Sequence, residues 1–390
     1  MSMPSPHDDA VAKLGDLAAT AGLRRVHLLA WRDLDDVEAG GSEVHAARIA
    51  ALWAQAGIEV TMRTSHAQGQ LHEGVRDGYR VVRRGGRQSV FPYAAVQEAL
   101  GRLGPCDGLV EVWNGIPFFT PLWARMPRVT VIHHVHADMW RQALPPRLAS
   151  IGETVELRIA PRLYRRSLVL TPSASSRADI LERLALRPDR VRVVPNGIDP
   201  QFSPGGERSP HPLFVAVGRV VPHKRLTAVI DAVAAVRDVA PDVELVIAGD
   251  GYEREHLRAH VDRLGADGWV RIAGRVSDDE LVALYRTAWA TVSASSAEGW
   301  GMTITEAAAC GTPSVVTRIP GHVDTVVDGV TGLLADTPDD LGPLVRRFVT
   351  DPALRARLGD AALERASELT WERTAVGVLE ALAEQARRRR

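Results

Sequence analysis

Residues 24–65 read RRVHLLAWRDLDDVEAGGSEVHAARIAALWAQAGIEVTMRTS. The opening RRVHLLAW has the apolar run of a strand. In SEVHAARIAALWAQAG, Val44, Ala47, Ala51 and Ala54 recur at three- and four-residue spacing and give a helix one apolar face, while Gly57 is placed to end it. EVTMRTS then returns to strand character. Strand, helix, strand is a βαβ unit, which sets the fold class as α/β with a parallel sheet.

The same alternation continues outward. DGLVEVWN, PRVTVIHH, LVLTPSA and VRVVPNG add strands, with a helix over about 175–186, so the first half reads as a parallel α/β domain. PNGIDPQFSPGGERSPHP, ending at Pro212, is dense in proline and glycine and has no apolar period, as an interdomain linker has. Behind it LFVAVG, VELVIAG, VRIAG, ATVSAS and PSVVT form a second series of short apolar strands with helical segments between them. The expected division is an N-terminal Rossmann-like domain over 1–196, a linker over 197–212, a C-terminal Rossmann-like domain over 213–368, and a final helix with a basic tail over 369–390.

The totals agree with that division. A chain of 390 residues exceeds one compact core and suits two domains. A net charge of -1 gives no field that would gather nucleic acid. The start, MSMPSPHDDAVAKL, lacks a basic region followed by an apolar stretch, and no apolar run approaches the roughly 20 residues that span a bilayer; a cytoplasmic location is expected. Cys106 and Cys310 are far apart among apolar or small neighbours and read as two buried thiols. The 47 basic residues include only two lysines, Lys13 and Lys224, which draws the eye to Lys224.

In open parallel sheets ligands bind beyond the carboxyl ends of the strands, so motifs there carry the most weight. Gly40, Gly41 and Ser42 lead into the first helix; they can bring backbone N–H groups to a phosphate, or serve as an ordinary turn and N-cap. Asp33 and Asp35 form an Asp-x-Asp pair that reads as a divalent-metal site or as a solvated acidic loop. HHVH offers His133, His134 and His136: a zinc cluster, structural histidines, or one strand-end histidine that hydrogen-bonds substrate, the last fitting the alternation of an extended chain best. In GRVVPHKR, Arg219 and Lys224 are set to converge on one diphosphate, a guanidinium fork beside an ammonium point charge. The richest stretch is SSAEGWGMTITEAAACGTPSVV. There Glu298 can take sugar hydroxyls, the N–H groups of Gly299, Trp300, Gly301, Met302 and Thr303 a phosphate, and Glu306 a ribose diol. In GRVSDDEL, Arg275 and Val276 can set main-chain groups against a base, although Ser277 with Glu280 makes a capping box that accounts for the segment by itself.

These motifs, over nearly the whole chain, closely resemble the retaining glycosyltransferases of family 4 (glycosyl transferases group 1), which have the GT-B fold. The resemblance rests on Glu298 to Glu306 with the following AAACGTPSVV, on Arg219 and Lys224, on PNGID, and on the glycine loop. It implies two Rossmann-like domains facing each other across a cleft, and a C-terminal helix crossing back to the first domain, which binds the acceptor. By the same resemblance Arg219 and Lys224 bind the donor diphosphate, Glu298 the hexose, Glu306 the ribose and Gly41 the distal phosphate. His133 matches the active-site histidine, with His134 adjacent as the ambiguity. The implied reaction is hexosyl transfer with retention from a UDP- or GDP-sugar, without a cofactor or a required metal, to a lipid, small metabolite or glycan. Arg158, Arg162, Arg165, Arg166 and the tail Arg387 to Arg390 suggest peripheral docking on an anionic membrane, or a solvated basic face. Two other readings share the architecture: a nucleotide-sugar epimerase, which lacks the paired-glutamate stretch in this form, and a sugar-binding protein, which has no need of a diphosphate site.

Overall fold

A computed structural model describes residues 5–137 and 139–389. The chain forms two compact units, Met1–Gly197 with Thr370–Arg390, and Ile198–Leu369.

The first unit holds β1 (Arg25–Leu29), β2 (Glu59–Thr64), β3 (Glu73–Arg76), β4 (Tyr79–Arg83), β5 (Gly108–Trp113), β6 (Arg128–Ile132), β7 (Val169–Thr171) and β8 (Val191–Val193) in the order β3-β4-β2-β1-β5-β6-β7-β8. β1 and β2 pair in parallel, Val26 beside Val60 and Leu28 beside Met62, with the helix Gly41–Gln55 as their crossover. The sheet is not wholly parallel, because β3 runs antiparallel to β4 at the edge. Asp77 and Gly78 join them with φ of 46° and 84°, the left-handed pair of a tight hairpin turn.

The crossover helix is covered more widely than a one-sided pattern implies. Val44 and Ala54 are half-buried, while His45, Ala46, Ile49, Ala50 and Trp53 are buried. The reason is a second layer: the C-terminal helix Trp371–Arg387 packs on it and on the N-terminal helix Pro6–Ala21, and the Trp53 indole donates to the Ala375 carbonyl at 3.1 Å. The helix Pro146–Thr154 runs through a wide turn at Val155–Ile159 into Ala160–Tyr164, so 146–164 is one continuous helical stretch.

The second unit has β9 (Leu213–Val217), β10 (Glu244–Ala248), β11 (Val270–Gly274), β12 (Ala290–Ser293), β13 (Ser314–Thr317) and β14 (Gly332–Ala335), in the order β11-β10-β9-β12-β13-β14 and parallel throughout. Its core gathers Phe214, Ile230, Leu245, Ile247, Val292 and Phe348. The segment expected as a linker, 197–212, is instead part of this body from Ile198 onward. Phe202 is buried edge-on to Tyr285, and the Arg208 guanidinium donates to the Ala288 and Tyr285 carbonyls at 2.7 and 3.2 Å. Proline and glycine removed the periodicity of the stretch without removing its anchors.

Candidate functional site

The site is built in the second unit, where β9, β12 and β13 end side by side. β9 stops at Val217, and the chain turns through Gly218 and Arg219 into a 3-10 turn, Pro222–Lys224. That turn is pressed against the loop after β10. A Cβ on Gly249 would stand 1.8 Å from the Gly218 carbonyl oxygen, and Gly249 has a φ of 142°, so only glycine permits the approach. Lys224 reaches back over Gly218, while Arg219 is exposed.

From the other side comes the loop after β12. The Lys224 ammonium donates to Oε1 of Glu298, and the Ser295 hydroxyl donates to the same oxygen at 2.9 Å. Oε2 of Glu298 has no hydrogen-bond partner among the described residues. Burial acts to raise the Glu298 carboxyl, but Lys224, His322 and Ser295 outweigh it and pull it to about 2, so it is a carboxylate at any working pH. Sequence reasoning named Lys224 and Glu298; their direct pairing, and the parts of Ser295 and His322, it did not foresee. The only signals for the last two were a serine in SASSAEG and a histidine following a Pro-Gly turn at a strand end.

Trp300 is buried beyond Glu298, and Gly301, with a φ of 95°, opens the helix Met302–Ala309. Gly301 has no side chain to cap that helix, so the amide groups of its first turn, Met302 and Thr303 among them, present the positive end of the helix dipole. Glu306 lies one turn in and accepts a hydrogen bond from the Tyr285 hydroxyl at 3.1 Å. Burial raises its carboxyl to about 7, and the charges of Asp199 and Asp278 add to the rise.

The segment Arg275–Val276 stands apart. It follows β11, an edge strand separated from β9 by β10, and there the capping box is real: the Ser277 amide donates to Oε2 of Glu280 at 2.8 Å, and the Glu280 amide donates back to the serine oxygen. Local structure therefore accounts for Ser277 and Glu280, and the Gly274 carbonyl just before Arg275 accepts from the Gly249 amide at 2.7 Å.

The remaining expected residues lie in the first unit. Gly40 caps the helix Gly41–Gln55, but its amide already donates to Oε2 of Glu43 at 2.8 Å, so the glycine loop opens on a self-capped helix. His133 follows β6 and meets the ring of His45 edge-on, 4.9 Å between centroids, whereas His134 stacks on His136 at 4.5 Å. The neighbours thus take different sides, as alternation requires. Burial, with His45 and His134 close by, holds His133 well below the usual imidazole range, so it is neutral at pH 7. Of the Asp-x-Asp pair, Asp33 is buried and bound by Arg76 at 2.5 Å and by Arg83, whereas Asp35, paired with Arg76 at 2.5 Å, keeps 60% of its side chain exposed, so the solvated reading holds for Asp35 alone. Among the described residues no group of three histidine, cysteine or acidic side chains is arranged to hold a metal ion, and no helix is long and apolar enough to cross a membrane.

Two units built on parallel sheets, one presenting an ammonium, a guanidinium, a carboxylate and an uncapped helix start at its strand ends, define the GT-B class of glycosyltransferases. The model described as Glycosyltransferase Family 4 matches residues 39–202 and that described as Glycosyl transferases group 1 matches 198–365, and the chain belongs to this family. Among curated relatives, a D-inositol 3-phosphate glycosyltransferase of Thermobifida fusca is 33% identical over 59% of this chain and 56% of its own length, so the match spans little more than half of that relative. Among solved structures, a sucrose-phosphate synthase from Thermosynechococcus elongatus superposes with a TM-score of 0.78 at 20% identity, over 91% of this chain and 97% of that one. HepE of Anabaena, solved in complex with UDP-glucose, gives 0.67 at 20% identity, over 92% and 98%. At those identities the structures attest the fold.

Proposed function

We propose that the chain transfers a hexose, with retention, from a nucleoside diphosphate sugar to a hydroxyl of a small phosphorylated polyol. What carries the reading is the Lys224–Glu298 pair beside the uncapped start of the helix Met302–Ala309, with Oε2 of Glu298 open and Arg219 exposed at the same strand ends. In this reading Arg219, Lys224 and the first-turn amides receive the diphosphate, Oε2 of Glu298 accepts from hexose hydroxyls, and Glu306 accepts from the ribose diol. Gly40, Gly41 and a neutral His133 are the first unit's contribution. The bond from the anomeric carbon to the diphosphate oxygen breaks as the acceptor oxygen bonds that carbon on the same face, and the acceptor proton passes to the departing diphosphate. The protein's part is charge stabilisation of the leaving group; loss of one such donor costs roughly a hundred- to a thousandfold in rate. The activity for which the Thermobifida relative is named supports the phosphorylated polyol, and the UDP-glucose bound to Anabaena HepE supports a UDP-sugar.

Thermal shifts with UDP, GDP, ADP and dTDP test the donor site. A nucleotide at about a hundred times its Kd stabilises by about 2.7 kcal/mol. We expect one of the four to do so and Arg219→Ala to lose the effect. No shift with any nucleotide favours the sugar-binding alternative. Incubation with the matching hexose conjugate and inositol phosphate should then yield the retained anomer by NMR; an inverted product refutes the mechanism.

We also infer that the first unit docks peripherally on anionic lipid at the inner face of a membrane. The observation is the stretch 146–164, where Leu148, Ile151 and Ile159 are 47%, 60% and 44% exposed at helical spacing among the exposed Arg147, Arg158 and Arg162, with Arg165 and Arg166 just beyond. The C-terminal tail supports it less: Arg388 pairs with Glu384 at 2.8 Å, Arg389 donates to the Arg125 carbonyl, and Arg390 lies outside the described residues. Co-sedimentation with phosphatidylglycerol vesicles should fall at least fivefold in Ile151→Ser with Arg158→Glu. Equal sedimentation of both proteins, or none by the unaltered chain, ends the idea.

A further inference from the structure

His322 opens the short helix His322–Thr325 that follows β13, and its side chain is wholly buried. It is held behind Glu298 by a close approach of backbone: a Cβ on Gly321 would stand 2.8 Å from the Glu298 carbonyl oxygen, and Gly321 has a φ of 85°. From the ring a line of polar atoms leads to the carboxylate. Nδ1 lies 2.8 Å from the Thr317 carbonyl oxygen, Nε2 3.5 Å from Oγ of Ser293, that oxygen 3.1 Å from Oγ of Ser295, and the latter 2.9 Å from Oε1 of Glu298.

Counting hydrogens along this line decides what it can do. The Thr317 carbonyl only accepts, so Nδ1 carries a hydrogen; the carboxylate only accepts, so the Ser295 hydrogen points to it. Three links then join Nε2, Ser293, Ser295 and Glu298. With a neutral ring only two hydrogens, one on each serine, are present to fill them. With a protonated ring there are three, all pointing towards Glu298.

We propose that His322 is a positioning residue for Glu298, acting through Ser293 and Ser295, and that its protonated form completes the relay and fixes the carboxylate towards the hexose hydroxyls. The inference rests on the reading of Glu298 as a donor-sugar contact. The groups that bear on the ring are few. Burial and Lys224 oppose its charge, while Glu298 and the Thr317 carbonyl favour it, the net effect being a lowered pKa. On its own short helix Asp324 lies near the Gly321 amide, at 3.3 Å, and on the packed helix Met302–Ala309 the one ionisable group, Glu306, is turned to Tyr285. A diphosphate that engages Lys224 weakens the opposing charge, so donor binding and ring protonation support each other.

The test reads the ring directly. Imidazole 15N shifts of His322 are followed across pH in the free protein, in Ser293→Ala and with nucleoside diphosphate bound. We expect nucleotide to raise its titration midpoint by about one pH unit in the unaltered chain, and Ser293→Ala, which removes the acceptor of the Nε2 hydrogen, to lower the midpoint in the free and the nucleotide-bound protein alike. In turnover at saturating donor, His322→Phe should lose about tenfold in kcat while nucleoside diphosphate Kd stays within twofold. His322→Gln, whose amide donates permanently to Ser293, should restore most of kcat and flatten its fall as pH rises through the ring's titration. An unresponsive ring, or a kcat and pH profile in His322→Phe and Ser293→Ala equal to those of the unaltered chain, overturns the proposal. Parallel loss of nucleotide affinity and melting temperature in His322→Phe and His322→Gln overturns it too, as a packing effect. Absence of nucleotide binding by the unaltered chain fails the donor reading, and the coupling of ring titration to Ser293→Ala in the free protein then decides the relay alone.

Discussion

Two clusters of opposite charge follow the opening strands of the two units, and in composition they look alike. After β1, Asp33 and Asp35 face Arg76 and Arg83; after β9 and β12, Lys224 faces Glu298 with Arg219 nearby. In the first cluster the Asp33 carboxylate has no exposed surface and both its oxygens are held, Oδ1 by Arg76 and Oδ2 by Arg83. In the second, both hydrogen bonds fall on Oε1 of Glu298, each partner of the ion pair keeps 16% of its side chain exposed, and Arg219 has no ion pair among the described residues. One cluster has a carboxylate, Asp33, saturated by its own chain, beside Asp35, whose two contacts both fall on Oδ2 and whose side chain is 60% exposed to solvent. The other has an acceptor oxygen and a guanidinium left over, and a ligand is what such a remainder suits. Saturation, more than the presence of charged residues, separates structure from site.

That contrast breaks if the two clusters respond alike to mutation. Asp33→Ala removes the buried acid between two largely buried guanidinium groups and leaves them only the exposed Asp35, and stranding such charges costs up to about 3–5 kcal/mol; urea unfolding should show that loss, while turnover per folded molecule stays within twofold. Glu298→Gln should do the reverse. The amide keeps the shape of the loop, so the urea midpoint should move little, while kcat falls by roughly a hundred- to a thousandfold. A stable Asp33→Ala, or a Glu298→Gln that turns over normally, removes the distinction.

Much of this was legible in the sequence, for reasons tied to particular residues. Strand runs such as LFVAVG and VELVIAG are apolar because helices cover both faces of a parallel sheet, and that signal is strong. Arg219, Lys224, Glu298 and Glu306 showed themselves because they sit where such strands end. The hairpin of β3 and β4 went unread, although Asp77-Gly78 is a turn signal, because its exposed edge strand carries no apolar run. β14, only four residues long between Thr331 and Asp336, left too little pattern to read. The saturation of Asp33 was beyond reach for a different reason: its partners are 43 and 50 residues away, and only pairing of β4 with β2 brings them to it. His322 and Ser295 fail the same way, since a lone histidine and a serine announce nothing until two strands end side by side.

Glu306 sharpens the comparison with a smaller effect, because it is a site residue whose charge is not settled. Its carboxyl is raised to about 7, so between the ordinary carboxylate range and pH 7 the folded chain binds a proton that the unfolded chain has released. Stability from this group is therefore full at low pH and is lost as pH rises through about 7, on the order of a few kcal/mol at most. A ribose diol needs the opposite form, since only the carboxylate accepts from both hydroxyls. Nucleoside diphosphate affinity should thus rise up to about tenfold from pH 6 to 8, over the range in which this part of the stability falls. Calorimetric titration at pH 6, 7 and 8, beside urea unfolding at the same values, reads both trends. Glu306→Gln should flatten both, lowering affinity at pH 8 and raising stability there. If affinity keeps its slope in that variant, the titrating group lies elsewhere, and Glu306, tied to Tyr285, belongs with Asp33 among the residues that serve the fold.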